Sequence, residues 1–273
     1  MGEPVSLGEV QETLLIPLYG RARDAGDTRS ILGDDMAVKL VEEIDYDFAK
    51  FTGPSLGGAV LRASIFDQYV RDFLDEHPDG TVVDLGCGLS TRFDRLDNGR
   101  VRWFDLDVDD TMALRRKFFE DTTRYTMIAG SLFSTEWYEQ VRERSGPVFL
   151  LSEAVLLYFP PEEVNAVLGQ LAQAFPSTPL AFDTGGPIMM NNQDRNPDFR
   201  QVPARMKWVC EDPRTLEQFG LALVESRTFA SPQREVASRW PAKHRYGMRA
   251  LSWFPPVRTY KLNLFRTEMS EPS

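Results

Sequence analysis

The chain has 273 residues, 42% hydrophobic and 26% charged, with 19 Gly and 18 Pro spread along its length. That composition supports one globular core and excludes wholesale disorder, and its apolar runs stop far short of the roughly 20 residues a membrane-spanning helix needs. Acids outnumber bases 41 to 31, a net charge of −10 that would repel a nucleic-acid backbone. Between Arg234 and Arg266, however, eight Lys and Arg stand against the single acid Glu235, which reads as a solvated face or, alternatively, an anion-attracting rim. The two cysteines, Cys87 and Cys210, exclude a disulfide scaffold. Glu3, Glu9 and Glu12 precede any apolar run, unlike a secretory signal, so a cytoplasmic location is expected. Gly2 fits a loose myristoylation pattern, treated as a chance match because no polybasic patch accompanies it.

In chain order, apolar residues recur at helical spacing from Leu7 to Ala25, from Asp35 to Ile44 and from Gly57 to Phe73. These helices form an expected N-terminal cap over residues 1–78, ahead of a core over 79–273. At Thr81 the rhythm changes. Strands are predicted at Thr81–Asp84, Val101–Leu106, Tyr125–Ala129, Val148–Ser152 and Leu180–Asp183, with helices at Asp109–Phe119, Thr135–Arg142 and Pro161–Ala174 between them. Alternating strands and helices imply crossover units and a parallel sheet covered on both faces, an α/β fold. Residues 185–207 break the pattern with two Gly, three Pro, three Asn and three Met, and read as a long loop or lid. Two last strands, Leu221–Phe229 and Val257–Phe265, flank a broken helical stretch, Gln233–Trp253; Glu271–Ser273 is expected to be a frayed end.

The most informative segment is Val82-Val83-Asp84-Leu85-Gly86-Cys87-Gly88, a strand running into two glycines. With no Cβ in the way, such a turn lets backbone N–H groups come close to a ligand. A dinucleotide fingerprint would carry a third glycine where Thr91 stands, which argues against a nicotinamide dehydrogenase. The next strand ends in Asp105 and Asp107, 19 and 21 residues beyond Gly86, where a carboxylate can accept from both hydroxyls of a ribose. Asp84, and Glu153 at the tip of the fourth strand, add negative charge that would repel phosphate and suit an ammonium or sulfonium. S-adenosylmethionine meets these conditions. The alternatives are helix capping for one of Asp105 and Asp107, and an ion pair with a neighbouring Arg for Glu153. No metal site is expected.

Leu85-Gly86-Cys87-Gly88-Leu89-Ser90-Thr91-Arg92, Trp103-Phe104-Asp105-Leu106-Asp107 with Leu114-Arg115-Arg116, and Ser152-Glu153-Ala154-Val155-Leu156-Leu157-Tyr158 together resemble the leucine carboxyl methyltransferase family. Within it the chain is most similar to bacterial polyketide O-methyltransferases of the tetracenomycin carboxyl methyltransferase type. Pro17-Leu18-Tyr19-Gly20-Arg21-Ala22 and Ile44-Asp45-Tyr46-Asp47-Phe48 support the match. The resemblance implies a class I methyltransferase (Rossmann-like) sheet of seven strands with the last antiparallel, and helices folded over the cofactor. It places Arg62 at the methionine carboxylate, Gly86 and Gly88 in the cofactor turn, Asp107 at the ribose, Ser131 and Leu132 at adenine, and Glu153 at the methionine amino end. Ser90 stands where the family usually has an Asp.

For the acceptor, Tyr158, Met189 and Met190 are candidate substrate contacts, Met206 and Trp208 could extend an apolar wall, and one of Arg195, Arg200, Arg205 and Lys207 could steer a carboxylate. Ordinary packing and solvated charge are the alternatives. The chain has two histidines, His77 and His244. A carboxylate acceptor is ionised at neutral pH and needs no base, whereas a phenol does, and His244 is the candidate for that case. The expected function is O-methylation of a small secondary metabolite, at the carboxyl of an aromatic polyketide; the alternatives are phenolic O-methylation and a noncatalytic regulatory protein that binds S-adenosylmethionine.

Overall fold

A computed structural model describes residues 2–268; the expected frayed end at Glu271–Ser273 lies outside the described residues. Three helices lead the chain: α1 (Leu15–Ala25), α2 (Asp35–Glu43) and α3 (Ser55–Glu76). The first starts later than its apolar spacing predicts, since residues 11–14 form a 3₁₀ turn. Asp34 caps α2, its Oδ1 accepting from the Ala37 N–H at 3.0 Å. A short parallel pair joins Glu3–Pro4 to Ile44–Asp45.

Seven strands follow: β1 (Thr81–Leu85), β2 (Arg102–Asp107), β3 (Tyr125–Ala129), β4 (Val148–Ser152), β5 (Pro179–Thr184), β6 (Leu221–Arg227) and β7 (Lys261–Thr267). They lie in the order β3-β2-β1-β4-β5-β7-β6. The first five are parallel, and β7 runs antiparallel to both β5 and β6, as the family resemblance implied. All five residues of β1 are buried, the pattern of a central parallel strand covered on both faces. The intervening helices are α4 (Arg92–Leu96), α5 (Asp109–Arg115), α6 (Tyr138–Arg142) and α7 (Pro161–Ala174). Pro161 opens α7, with Glu162 and Glu163 in its first turn, as the proline and helix-dipole rules require. Sequence periodicity missed α4, a helix of barely more than one turn.

Side-chain alternation divides the core. Val83, Leu85, Phe104, Leu106 and Leu150 face α7, while Val82, Trp103, Phe149 and Leu151 face Ile65, Phe66, Val70 and Phe73 of α3. A third cluster joins Leu15, Leu18, Leu40 and Phe51 within the N-terminal helices.

Residues 185–207, read from sequence as a long loop or lid, carry short helical turns and are anchored. They form α8 (Pro187–Asn191) and two 3₁₀ turns, and Val202, Ala204 and Met206 are buried. Asp198, fully buried, accepts from the backbone N–H groups of Gly53 and Ser55 at 2.6 and 3.1 Å, and Asn196 donates to Ser55 Oγ at 2.7 Å. The segment is thereby tied to the start of α3. The less anchored part comes later. The stretch predicted at Gln233–Trp253 is split into α9 (Arg234–Arg239) and α10 (Ala242–Ala250), and α11 (Pro255–Thr259) takes the expected start of the last strand. No residue of α10 is buried, and Tyr246, Leu251, Trp253 and Phe254 are exposed. Among the described residues, no helix is long and apolar enough to cross a membrane.

Candidate functional site

A cavity of about 980 Å³ opens at the carboxyl ends of β1, β2, β3 and β4, roofed by the start of α1 and by α3. This is where ligands sit in open α/β sheets. Its walls include Arg62, Gly86, Gly88, Asp107, Ser131, Leu132, Glu153 and Tyr158, so the structure brings most of the predicted site together.

The glycines act through shape. Gly86 has φ +77° and Gly88 φ +54°. A Cβ on Gly86 would stand 2.5 Å from Val155 Cγ2, and one on Gly88 3.2 Å from Leu14 Cβ. The turn's N–H groups, which the sequence reading left open to a ligand, are instead taken within the protein; those of Gly86 and Cys87 donate to the Leu106 carbonyl at 2.8 and 3.1 Å. The Gly88 N–H donates to Asp107 Oδ2 at 2.7 Å, and the Val108 N–H to Oδ1 at 2.8 Å. Each Asp107 oxygen keeps a lone pair for a ligand hydroxyl. Burial raises the Asp107 carboxyl, and the Gly88 and Val108 N–H bonds oppose that shift.

Asp105 corrects the sequence reading. Two residues further back along the strand, it lies about 7 Å deeper and does not line the cavity. It is buried beneath α5, where its carboxylate pairs with Arg115 and accepts from Tyr125 Oη at 2.6 Å and Trp103 Nε1 at 2.8 Å. Neither acid caps α5, whose first residue is preceded by Val108. Arg115 also donates to the Gly88 carbonyl at 3.0 Å, so Asp105 braces the turn from behind.

The floor of the cavity is a chain of alternating charges. Arg21 pairs with Asp34 at 2.9 Å, Asp34 with Arg95 at 3.0 Å, Arg95 with Asp67 at 3.2 Å and Asp67 with Arg92 at 2.8 Å. Arg92 also holds Asp84 at 2.7 Å and pairs with Glu153, whose other oxygen accepts from Arg62 Nε at 2.6 Å. The ion-pair alternative for Glu153 is realised, and neither Asp84 nor Glu153 presents unopposed negative charge. Burial pushes the Asp84 carboxyl up to about 7 against the pull of Arg92. At Glu153 burial acts in the same direction, but Arg62 and Arg92 outweigh it and the carboxyl is held below its ordinary value. Arg62 Nη1 donates to Tyr260 Oη at 3.3 Å, and its Nη2 has no protein partner among the described residues.

At the other end the walls are apolar, with Phe133, Phe159, Met189, Phe199, Met206 and Phe254 around the space. Tyr158 is among them, and burial pushes its phenol up to about 12. Met190 and Arg205 do not line the cavity. Met190 is packed in the core, and Arg205 pairs with Asp194 at 2.6 Å while capping the carbonyls of Val202, Pro203 and Ala204. Of the four cations considered for the acceptor, Arg195 reaches the cavity. Trp208 is buried against Phe182, with ring centroids 6.2 Å apart. His244 lines the cavity, its imidazole pKa lowered by burial and by Lys243. His77 packs on Phe73 at the far end of α3.

Sequence reasoning gave no role to Arg92, Asp67, Asp183 or Tyr260. A signal for Arg92 existed, since an acid inside a central strand, as Asp84 is, requires a buried cation.

A family model described as leucine carboxyl methyltransferase matches residues 17–172. The tetracenomycin polyketide synthesis O-methyltransferase TcmP of Streptomyces glaucescens is 32% identical over 220 residues, covering 80% of this chain and 81% of that protein. An S-adenosyl-L-methionine-dependent methyltransferase, dpfgK, of Gibberella zeae is 28% identical and covers 78% and 79% of the two chains. The crystal structure of a duf574 family protein from Streptomyces avermitilis shares the fold with a TM-score of 0.55 at 16% identity, covering 94% of this chain and 97% of that one. With the family model spanning more than half its length, and a relative 32% identical over 80% of it, the chain belongs to the leucine carboxyl methyltransferase family and is an S-adenosylmethionine-dependent methyltransferase.

Proposed function

We propose that the chain methylates the carboxyl group of an aromatic polyketide or a similar secondary metabolite. The observation that carries this reading is the division of one cavity into a polar end, built by Gly86, Gly88, Asp107 and Arg62, and an apolar end walled by aromatic and methionine side chains. The name of the Streptomyces glaucescens relative, an O-methyltransferase of tetracenomycin polyketide synthesis, supports the acceptor class.

The residues present fit S-adenosylmethionine. The positive-φ glycines leave a cradle that a Cβ would fill, Asp107 has lone pairs for two ribose hydroxyls, and Arg62 has an open guanidinium edge for a carboxylate. Ser131 and Leu132 stand beyond Asp107, where an adenine would lie. When bound, S-adenosylmethionine would supply a methyl group on a sulfonium, the acceptor oxygen taking the methyl as the sulfur–carbon bond breaks and S-adenosylhomocysteine leaves. Charge is lost as the new bond forms, so the work left to the protein is orientation and exclusion of water. Phe133, Met189, Phe199 and Met206 exclude water, and Arg195 offers a cation to an anionic acceptor.

His244 supports a second reading, methylation of a phenol, because it lines the cavity and burial favours the neutral form that a base requires. Product chemistry separates the two. The enzyme is incubated with labelled S-adenosylmethionine and a panel of aromatic acids and phenols, and the product is treated with mild alkali. A methyl ester releases its label; an alkali-stable product would transfer the assignment to phenolic oxygen and make His244 the candidate base.

A further inference from the structure

Asp183 is the last carboxylate before the end of β5. It is fully buried and lies behind the cavity wall rather than in it. Its two oxygens serve different strands. Oδ1 accepts from the Ala154 N–H at 2.8 Å, and Oδ2 accepts from the Tyr260 hydroxyl at the entrance to β7. Both donors are unusual in their surroundings. Ala154 holds φ +58°, a left-handed conformation costly for a residue with a Cβ, directly after Glu153. Tyr260 accepts on its far side from Arg62 Nη1 at 3.3 Å. Arg62 Nε returns to Glu153 at 2.6 Å, which closes a ring through Asp183, Tyr260, Arg62, Glu153 and Ala154.

We propose that Asp183 and Tyr260 are positioning residues that set Glu153 and Arg62 for the amino-acid end of the cofactor. One arm pins the strained Glu153–Ala154 turn and the other orients the Arg62 guanidinium. The ring ties the ends of β4, β5 and β7 to α3, residues 62, 153, 183 and 260 being distant in sequence. A carboxylate can accept from both partners at once; an amide at the same position keeps an acceptor for Ala154 and loses the one for Tyr260. Asp183→Asn therefore replaces the acceptor facing Tyr260 by a donor and alters that arm selectively, and Tyr260→Phe removes the hydroxyl with little change of volume.

The inference rests on the reading that Arg62 and Glu153 meet the amino-acid end, and the test treats the two separately. Calorimetry measures S-adenosylhomocysteine, which carries the amino and carboxyl groups, and methylthioadenosine, which lacks both, against the parent, Tyr260→Phe, Asp183→Asn and Arg62→Ala, each shown to be folded by its thermal transition. Tyr260→Phe and Asp183→Asn should each weaken S-adenosylhomocysteine roughly fivefold to tenfold, the loss of one hydrogen bond that orients a charged group, while methylthioadenosine binds within about twofold of the parent. If Arg62→Ala shows this selective loss and the other two do not, the positioning role is wrong and the site reading stands. If Arg62→Ala shows no selective loss, both fall. An equal loss for the two ligands in Tyr260→Phe and Asp183→Asn would assign the ring to general stability and overturn the proposal.

Discussion

The two ends of the cavity are built on different physics. At the cofactor end, buried charges each need named partners: Arg92 holds Asp67, Asp84 and Glu153 together, and Asp107 is fixed by two backbone N–H groups. At the acceptor end the walls are apolar, the covering helix α10 has no buried residue, and Trp253 is 71% exposed. Apolar contact is non-directional and tolerates exchange, whereas removing one member of a buried charge chain strands the others. The cofactor end should therefore be intolerant of substitution and the acceptor end permissive, a division suited to keeping one methyl donor while changing acceptors.

The largest effect that could break this contrast is Arg92→Ala, which leaves three carboxylates short of a cation and should destabilise the fold by about 3–5 kcal/mol. Urea denaturation with an unchanged slope would measure it, and a loss below about 1 kcal/mol would mean the charge chain is not the structural floor. Acidification acts on the same chain. Asp34, Asp67 and Glu153 have carboxyl pKa values held below their ordinary 3.8, 3.8 and 4.5. The stability they contribute is fully present above those ordinary values and is lost as pH falls through the depressed folded-state ones. Asp84 has the opposite sign, since its raised pKa lets protonation relieve it from about pH 7 downward. Melting temperatures from pH 7 to 3 should thus stay level or rise slightly before a steep fall below about pH 4.5; a steep loss already at pH 6 would contradict this assignment.

Within the cofactor end, Gly86→Val should abolish measurable S-adenosylhomocysteine binding by combining a positive φ with a contact on Val155. Asp107→Ala should weaken binding by about 1.5–3 kcal/mol, the loss of hydrogen bonds to a charged acceptor. Calorimetry on folded variants decides both, and binding like the parent's in either would displace the cofactor from the Gly86–Asp107 corner. The smallest effects belong to the acceptor end. Phe254→Ala should raise the acceptor KM severalfold and His244→Ala should keep most kcat with a carboxylate acceptor, both leaving S-adenosylhomocysteine affinity within about twofold. Coupled losses of cofactor and acceptor binding in Phe254→Ala would show that the two ends are not independent.

Much of the cofactor end was legible because its signals are local. A run of buried β-branched and apolar residues into Gly86 and Gly88 specifies strand and turn, and the acid closing the next strand, Asp107, follows from the spacing of one crossover. The assignment of Asp105 failed because alternation places it on the same face as Asp107 and says nothing of depth; α5 covers one and leaves the other at the rim. Met190 and Arg205 were misplaced for a related reason. The composition of residues 185–207 resembles a loop, but Asp198 caps α3 and holds the segment down, turning Met190 inward and leaving Met189 on the cavity.

The sequence by itself determined the strand and helix alternation, the glycine turn, the acid that closes the second strand and, through ordered motifs, the family. The first three depend on residues within one crossover of each other, where chain chirality and side-chain period decide the outcome. Only the tertiary structure decided which acids line the cavity, which cations neutralise them, and that Tyr260 stands beside Arg62 in the wall with Asp183 behind it. Arg62 and Glu153 are 91 residues apart, and Arg62 and Tyr260 198. A buried carboxylate announces that it needs partners, but the choice among 31 basic residues is made by the packing of α3 and α4 against the sheet.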